Sequence, residues 1–216
     1  MSTVAVIDYG MGNLRSVAKA LEHVASVGTT VEVTASPERI LQAERVVFPG
    51  QGAARDCMAE LTHRGLVGVV NEAVRSKPFL GICMGLQVLL ESSEENGGTT
   101  GLGILPGRVR RFPDGMVDPR SGDALKIPHM GWNQAHQTKA HPMWQGISQD
   151  SRFYFVHSYY VAPTEPEQIA GVTRYGTDFV CAMARGNVFA VQFHPEKSAA
   201  AGLALLANFL RWDGCV

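Results

Sequence analysis

Several features that would assign this chain to a specialised class are missing from its 216 residues. The formal net charge is -1, so the overall charge balance does not favour binding to nucleic acid or to an anionic membrane. No apolar run approaches the length of a membrane span, and no basic residues precede the first apolar run as they do in a signal peptide. We therefore expect a protein that works without nucleic acid and without a membrane.

Cysteine is sparse and scattered, and the histidines show no regular spacing. The chain has four cysteines, with no C-x-x-C pair among them: Cys57, Cys83, Cys181 and Cys215. This spacing argues against a zinc knuckle or a thioredoxin-like motif, and it favours free thiols in a reducing cytoplasm. The stretch "PHMGWNQAHQTKAH" also lacks a metal-ligand rhythm. We expect no metal site.

Two glycine pairs stand in predicted loops but do not form a dinucleotide-binding fingerprint. A G-x-G pattern occurs at residues 10–12 and 50–52, and the position of the third glycine holds Arg15 and Arg55 instead. A Walker-type loop is also missing from the sequence. We therefore expect no nucleotide cofactor.

Strand and helix signals alternate through the first half of the chain. Short apolar strands are predicted at "TVAVID", "TVEVTA", "RVVFPG" and "PFLGI", with helices between them and one helical stretch ending at about Ser76. Repeated β-α units imply an α/β fold with a mainly parallel central sheet and helices on both faces. Because 45% of the residues are hydrophobic, the chain can bury a substantial core, and we expect a single domain over residues 1–216.

The second half is predicted to consist of strands joined by short turns, which would add antiparallel strands to the sheet. "RFYFVHSYYVA" is predicted as one strand, and "ARGNV" as a hairpin with Gly186 and Asn187 in its turn. A strong helix is predicted over "SAAAGLALLANFLRW". Just after the fourth strand, "MGLQVLLESSEE" is predicted as a helix because Leu86, Leu89 and Leu90 fall on one helical face.

The stretch "GICMG" places Cys83 between a strand and a helix. This is the context of a G-x-S-x-G nucleophile elbow, with sulfur in place of oxygen. The turn of such an elbow is sharp, so Gly81 and Gly85 stand where a Cβ would clash. The geometry would make the Met84 N–H an oxyanion donor, and the helix N-terminus would favour the thiolate. We predict that Cys83 is a nucleophile rather than a buried structural cysteine.

The segment "FHPEKS" can supply a base for this nucleophile and a partner that orients the base. In an extended segment, residues two apart project to the same side, so His194 and Glu196 can face the same way. Glu196 would then fix the tautomer of His194 while the other ring nitrogen faces the thiol. A surface histidine beside a surface glutamate is the alternative. Pairing with the Cys83 elbow favours a catalytic triad.

The loop "PGQGA" follows another parallel strand, at the edge where such sheets assemble their sites. The backbone amides of Gly50, Gln51 and Gly52 are the predicted second contributors to an oxyanion hole, beside Met84. On their own, these residues predict a Cys-His-Glu hydrolase or acyl transferase.

The motifs "GICMGLQ", "HSYY" and "FHPEKS" together resemble those of the class I (triad) glutamine amidotransferases, and the resemblance covers essentially the whole chain. "DYGMGNLRSV", "PHMGWN" and "FVHSYY" resemble the branch that forms the glutaminase subunit of imidazole glycerol phosphate synthases, in histidine biosynthesis. The resemblance implies a flavodoxin-like architecture and hydrolysis of L-glutamine to glutamate and ammonia. In that reaction Cys83 would attack the side-chain amide, His194 would act as acid and base, and Glu196 would orient His194.

The resemblance also implies substrate contacts. Gln87 lies one helical turn after Cys83, where the elbow helix of the family faces the substrate. His157, Ser158 and Tyr159 match the segment at the amino-acid end of glutamine. Gln51 departs from the small apolar residue that this branch often has in the oxyanion loop, so loop switching is expected to differ in detail.

A partner is implied as well. Ammonia would pass, without meeting bulk water, into a (β/α)8 cyclase subunit that forms imidazole glycerol phosphate and AICAR, in a heterodimer. The candidate interface residues are Met11, Gly12, Asn13, Trp132 and Lys197. An ordinary core aromatic and a solvated charge are the open alternatives for Trp132 and Lys197.

Two other functions remain open at this point. One is the glutaminase of a different triad amidotransferase, such as those serving pyridoxal phosphate or anthranilate synthesis, and "PHMGWN" argues against it. The other is a catalytically silent regulatory module on the same fold. The intact set of Cys83, His194 and Glu196 argues against a silent module.

Overall fold

A computed structural model describes residues 2–119 and 121–215, which are arranged around a mixed β-sheet. The strands, in chain order, are β1 (Ser2–Ile7), β2 (Thr29–Thr34), β3 (Arg45–Gly50), β4 (Phe79–Cys83), β5 (Leu90–Ser93), β6 (Thr99–Thr100), β7 (Leu105–Arg111), β8 (His129–Gln134), β9 (His136–Gln137), β10 (Arg152–His157), β11 (Tyr159–Pro163), β12 (Ile169–Tyr175), β13 (Thr177–Arg185) and β14 (Val188–Val191). The helices are α1 (Leu14–Val24), α2 (Pro37–Gln42), α3 (Ala54–His63), α4 (Val67–Ser76), α5 (Met84–Gln87) and α6 (Ala199–Arg211).

The sheet has a parallel half and a largely antiparallel half. Strands β2, β1, β3, β4 and β14 lie side by side in that order, each parallel to its neighbour. From β14 the sheet continues antiparallel through β13, β11 and β7. Strand β5 then joins β7 in parallel, and β8 pairs with β10 in a separate antiparallel ribbon. A mainly parallel sheet with antiparallel additions is therefore confirmed.

Both faces of the sheet are covered, as the pattern of buried side chains requires. Successive strand residues point to opposite faces. In β1, Val4 and Val6 accordingly pack in one core and Ala5 and Ile7 in the other. Helices α1 and α6 pack on the first face, and α2, α3 and α4 on the second. The prediction of helices on both faces is confirmed.

The predicted helical stretch ending near Ser76 is two helices instead of one. The chain turns at Gly65, which adopts a φ of +67° between α3 and α4. The Leu66 N–H donates to the Leu61 carbonyl at 2.9 Å, a bond that closes a helix C-terminus. The turn lets α4 begin at Val67 in a new direction.

The prediction of a long helix over "MGLQVLLESSEE" is wrong. Only α5, four residues long, is helical, and the chain continues as strand β5. The carbonyls of Val88, Leu89 and Leu90 accept backbone hydrogen bonds from residues 102–105. Leu86, Leu89 and Leu90 are all fully buried, so their spacing reflects burial on several sides rather than one helical face.

The predicted strand "RFYFVHSYYVA" is interrupted at Ser158. Before this residue β10 pairs with β8, and after it β11 pairs with β7 in the main sheet. The Ser158 carbonyl accepts from the Phe112 N–H at 3.1 Å where the chain changes partner. The hairpin at Gly186 and Asn187 is confirmed, because β13 and β14 pair directly on either side of it.

All four cysteines are free, and Cys215 is exposed while the others are buried. Among the helices of residues 2–119 and 121–215, none is long and apolar enough to cross a membrane.

Candidate active site

Cys83 lies at the sharp turn between β4 and α5, at the C-terminal edge of the parallel half. Its backbone has a φ of +54° and a ψ of -108°, a region that L-residues rarely occupy and that costs free energy. A Cβ added to Gly81 would lie 2.9 Å from the Gly85 carbonyl oxygen, and one added to Gly85 would lie closer still to the Phe48 carbonyl oxygen. The expectation that both flanking positions need glycine is confirmed. The geometry is that of a nucleophile elbow.

His194 is brought to the same edge by the neighbouring strand. Strand β14 runs parallel to β4, with Val191 opposite Ile82, so the residues that follow β14 emerge beside Cys83. His194 keeps an extended backbone, and its N–H donates to the Tyr154 carbonyl at 2.9 Å. The position of this histidine is thus fixed by the strand order of the sheet.

Glu196 accepts a hydrogen bond from His194. The Glu196 Oε1 and His194 Nδ1 atoms are 2.9 Å apart, and both side chains are buried. Because a carboxylate can only accept, Nδ1 carries the proton and Nε2 is left for another partner. Nε2 is buried and forms no hydrogen bond to the described residues. Glu196 reaches this position from a 3-10 turn at Pro195–Lys197, not from the extended segment that the sequence suggested.

The surroundings of His194 favour its charged form. Burial alone would lower the pKa of His194, but the adjacent Cys83 thiol and the Glu196 carboxylate outweigh burial and raise that pKa above its ordinary value. A cysteine next to a protonated histidine is the usual arrangement of an activated thiolate. This constellation can form a covalent bond to an electrophilic carbon and move a proton to a leaving group.

A cavity of about 310 Å³ opens over these residues. It collects most of the residues predicted for nucleophile, base, oxyanion and substrate contacts: Gln51, Gly52, Cys83, Met84, Gln87, His157, Ser158, Tyr159 and His194. Lys197, a candidate interface residue, lines it as well. Glu196 stands behind His194, and Gly50 stands behind Met84, outside the cavity wall. Pro128, the first residue of the motif "PHMGWN", also lines the cavity, as does Glu95, which no sequence motif indicated.

The predicted oxyanion loop passes directly beside the elbow. Gly50 pairs with Cys83 across β3 and β4, and a Cβ on Gly50 would lie 2.8 Å from the Cβ of Met84. Gly52 has a φ of +93°, which favours glycine. The carboxylate of Glu95 accepts from the Ala54 N–H at 2.7 Å and so anchors the end of the loop.

Gln87 is held by a network that includes Gln192, a residue that the sequence patterns did not single out. The Gln87 Nε2 atom lies 3.1 Å from the Tyr159 carbonyl and 3.0 Å from the Gln192 Oε1 atom. The Gln192 Nε2 atom in turn lies 3.7 Å from the Cys83 sulfur. Gln192 is fully buried and precedes His194 by two residues, a spacing that could have indicated it.

The residues of the segment 157–159 take different positions. The ring of His157 is buried and forms hydrogen bonds to His129 and to the Tyr159 carbonyl. Ser158 and Tyr159 line the cavity at the point where β10 ends and β11 begins. All three residues therefore line the same cavity, but the His157 ring already forms hydrogen bonds to other residues of the protein.

Of the candidate interface residues, Lys197 lines the cavity and Met11 lies against Gly52, which also lines it. Trp132 is 46% exposed on β8, so the alternative that it is an ordinary core aromatic is wrong. The exposed Lys197 places its Nζ 5.8 Å from the centre of the Tyr154 ring, which also contacts Trp132. Met11 packs against Gly52, and Gly12 and Asn13 precede α1.

Comparisons with known proteins identify the family of the sequence. The family model of glutamine amidotransferase class-I matches residues 5–212. The chain is 62% identical to the imidazole glycerol phosphate synthase subunit HisH of Thiobacillus denitrificans, over 97% of this chain and 91% of that protein. It is 62% identical to the protein of the same name from Methylococcus capsulatus, over 99% and 98%.

A solved structure also shares the fold of this chain. The structure of PurLQS from Thermotoga maritima superposes with a TM-score of 0.72 at 16% identity, over 97% of this chain and 98% of that chain. This likeness supports the fold alone, and the match of the family model covers nearly the whole sequence. The chain belongs to the class-I glutamine amidotransferase family.

Proposed function

We propose that this chain is the glutaminase subunit of an imidazole glycerol phosphate synthase, which releases ammonia from L-glutamine for histidine biosynthesis. The observation that carries the proposal is a cysteine at a strained elbow beside a buried histidine–glutamate pair in an open cavity. The 62% identity to two HisH proteins, over nearly their full length, supports the choice of this branch. We take residues 1–216 as one glutamine amidotransferase domain and expect it in the cytoplasm.

The reaction begins with attack of the Cys83 sulfur on the side-chain amide carbon of glutamine. His194 gives its proton to the amide nitrogen, the carbon–nitrogen bond breaks, and ammonia leaves a γ-glutamyl thioester on Cys83. His194 then takes a proton from water, whose oxygen attacks the thioester carbon. The carbon–sulfur bond breaks, glutamate departs, and the Cys83 thiolate and the protonated His194 are restored. Glu196 holds the histidine in one tautomer throughout.

The oxyanion that develops in each step needs donors that are already in place. We assign this role to the backbone N–H of Met84, next to the nucleophile, and to the loop of Gly50, Gln51 and Gly52. Substrate contacts are assigned to Gln87 and to the segment of His157, Ser158 and Tyr159. Their position around the same cavity supports the assignment.

The ammonia is passed to a (β/α)8 cyclase subunit in a heterodimer. We propose that the partner covers the cavity mouth and contacts Met11, Gly12, Asn13, Trp132 and Lys197. The exposure of Trp132, and the still greater exposure of Met130 two residues before it on β8, supports an interface on this face. Glutamine hydrolysis by the isolated chain is expected to be slow and to rise strongly when the cyclase subunit and its nucleotide ligand are added.

Substitution of the nucleophile tests the proposal. In the complex with the cyclase subunit, Cys83→Ala is expected to lower glutamine-dependent synthesis by at least about 10⁴-fold, since the covalent route is lost. Synthesis from added ammonium salts should persist, because that route bypasses the glutaminase. The readout is imidazole glycerol phosphate formed from each nitrogen source.

Cys181→Ala is the matched control, because Cys181 is also buried and lies outside the cavity. It should leave both nitrogen sources usable. Loss of both activities in Cys83→Ala would mean that Cys83 is structural. Equal glutamine turnover with and without the partner would refute the gating by the partner.

A further inference from the structure

His129, a buried histidine to which the proposed reaction assigns no role, faces His157 of the substrate segment. His129 begins β8 and His157 ends β10, and the two residues are directly paired across this antiparallel ribbon. The His129 Nδ1 atom lies 3.0 Å from the His157 Nε2 atom. Both side chains are at least 94% buried, with exposed fractions of 3% and 6%. A pair of this kind must have a defined arrangement of protons.

The protons of the pair can be assigned from the partner at the inner end. The His157 Nδ1 atom lies 2.8 Å from the Tyr159 carbonyl oxygen, which can only accept, so Nδ1 carries the proton. In a neutral imidazole the other nitrogen, Nε2, is then an acceptor. The His129 Nδ1 atom must therefore donate to it, which leaves the His129 Nε2 atom as an acceptor.

The contacts of Asn133 with His129, at the other end of the pair, give the same direction of hydrogen-bond donation. The Asn133 Nδ2 atom lies 3.3 Å from the His129 Nε2 atom and 2.9 Å from the Arg174 carbonyl, so it donates to both. The orientation of this amide is set independently, because Asn133 Oδ1 accepts from the Gln134 N–H at 2.8 Å. The hydrogen bonds thus run in one direction: Asn133 donates to His129, His129 donates to His157, and His157 donates to the Tyr159 carbonyl.

Burial keeps both rings neutral, and aromatic side chains pack against them. Burial lowers the pKa of His129 to about 4 and, with the neighbouring His129 ring, lowers the pKa of His157 to about 3. The His129 ring is stacked between Tyr175 and Phe155, with centroid distances of 4.1 and 4.9 Å. The His157 ring packs on Phe112 and Phe179, with centroid distances of 5.3 and 5.2 Å.

The inner end of this chain of bonds reaches the nucleophile. The Tyr159 carbonyl that accepts from His157 also accepts from Gln87 Nε2. Gln87 donates to Gln192, and Gln192 approaches the Cys83 sulfur. Gln87 lines the cavity, and its Oε1 atom is buried and forms no hydrogen bond to the described residues.

We propose that His129 is a positioning residue for the glutaminase, which acts through the proton direction of the His129–His157 pair. It holds the Tyr159 carbonyl and, through it, the amide of Gln87 in the orientation that receives glutamine. This inference rests on the proposed function, and it adds a residue that touches neither the substrate nor the reacting atoms.

The test compares three substitutions in the complex with the cyclase subunit. His129→Phe keeps a ring but removes the donor, so His157 Nε2 is left unpaired, and we expect the KM for glutamine to rise about tenfold with kcat within about threefold. His129→Asn places an amide donor where Nδ1 stood and should recover most of the lost affinity. His141→Phe is the control, because His141 is equally buried but packs on Phe189 and Trp212, away from the cavity.

Three kinetic outcomes would overturn the proposal: an unchanged KM in His129→Phe, an equal rise in His141→Phe, or no recovery in His129→Asn. Nitrogen-15 NMR of the histidine rings gives a second test that does not depend on whether a variant folds. Both His129 and His157 should be protonated at Nδ1 alone and stay so between about pH 6 and about pH 8. Protonation of Nε2 in either ring would contradict the assignment.

Failure of the proposed function would look different. In that case the wild-type complex would show no glutamine hydrolysis, while the NMR signature of the histidine pair would be unaffected. Synthesis from ammonium salts should be equal in all three variants, since the pair does not act on the cyclase.

Discussion

At the scale of single residues, the candidate site depends on backbone conformations that most side chains would not allow. Cys83 has a positive φ, and the glycines on both sides remove the clashes that would otherwise open the turn. A strained nucleophile persists only when its surroundings over-determine it. Here the determinants are β3 and β4, whose backbones pack against α5.

Gly85→Ala tests this packing. The new Cβ would lie closer than 3.0 Å to the Phe48 carbonyl, which belongs to the buried strand β3 and cannot move aside. We expect a loss of about 3 kcal/mol or more in the free energy of unfolding, because overpacking against backbone is costly. Urea unfolding of the isolated chain measures it, and glutaminase activity should fall in parallel.

The control is the same glycine-to-alanine substitution at a position where we expect the free energy of unfolding to rise. Gly68 lies in α4 with an ordinary φ and open space around its Cα. Gly68→Ala should therefore stabilise the chain by about 0.5 kcal/mol, through helix propensity and the unfolded state. Equal effects at both positions would mean that the Phe48 contact does not constrain the elbow.

The residues of the site differed in how well the sequence could predict them. Cys83 was predictable because its flanking glycines and its strand-to-helix context are local. Gln192 and His129 gave no such signal, because their roles depend on which strands become neighbours. Gln192 reaches Cys83 only since β14 pairs with β4, and His129 reaches His157 only since β8 pairs with β10.

At the scale of elements, the errors fell where tertiary pairing overrode a local pattern. The apolar spacing of Leu86, Leu89 and Leu90 is that of a helix, yet the chain leaves α5 after four residues to pair β5 with β7. The central strands and α6 were predicted well, because they are buried and bounded by clear turn signals. The break at Ser158 has no distinctive residue and follows from the change of pairing partner.

Helix α6 is attached to the rest of the chain by a buried amide. The Asn208 Nδ2 atom donates to the carbonyls of Met143 at 3.0 Å and Gln145 at 2.8 Å, both in the turn after β9. Asn208→Leu keeps the volume but leaves two carbonyls without their donor. We expect a loss of about 2 kcal/mol in the free energy of unfolding, measured by urea titration.

An amide elsewhere serves as the comparison. Asn71 is half-buried on α4, and Asn71→Leu should change the free energy of unfolding by less than about 0.5 kcal/mol. Should Asn208→Leu be as stable as the wild type, the attachment of α6 must depend on its apolar face alone.

At the scale of the whole molecule, the buried histidines fall into two groups whose pKa values are shifted in opposite directions. Burial lowers the pKa of His129 and His141 to about 4 and that of His157 to about 3, whereas the pKa of His194 is raised by Cys83 and Glu196 against the effect of burial. In the unfolded chain all four titrate near about 6.5. The first three are protonated more readily when the chain is unfolded, and His194 is protonated more readily when the chain is folded.

The sign of each contribution to stability follows by linkage. Between about pH 6.5 and about pH 4 the unfolded chain binds more protons at His129, His141 and His157, so the free energy of unfolding falls as the pH falls, by up to about 1.4 kcal/mol per unit for each histidine. His194 contributes stability that is fully present below about pH 6.5 and is lost as the pH rises towards its raised pKa. Stability should therefore be greatest near about pH 6.5.

Urea titrations across this range test the curve, and His141→Phe should make the acid limb less steep without changing the alkaline limb. A flat acid limb in the wild type would show that these histidines are already charged in the folded protein.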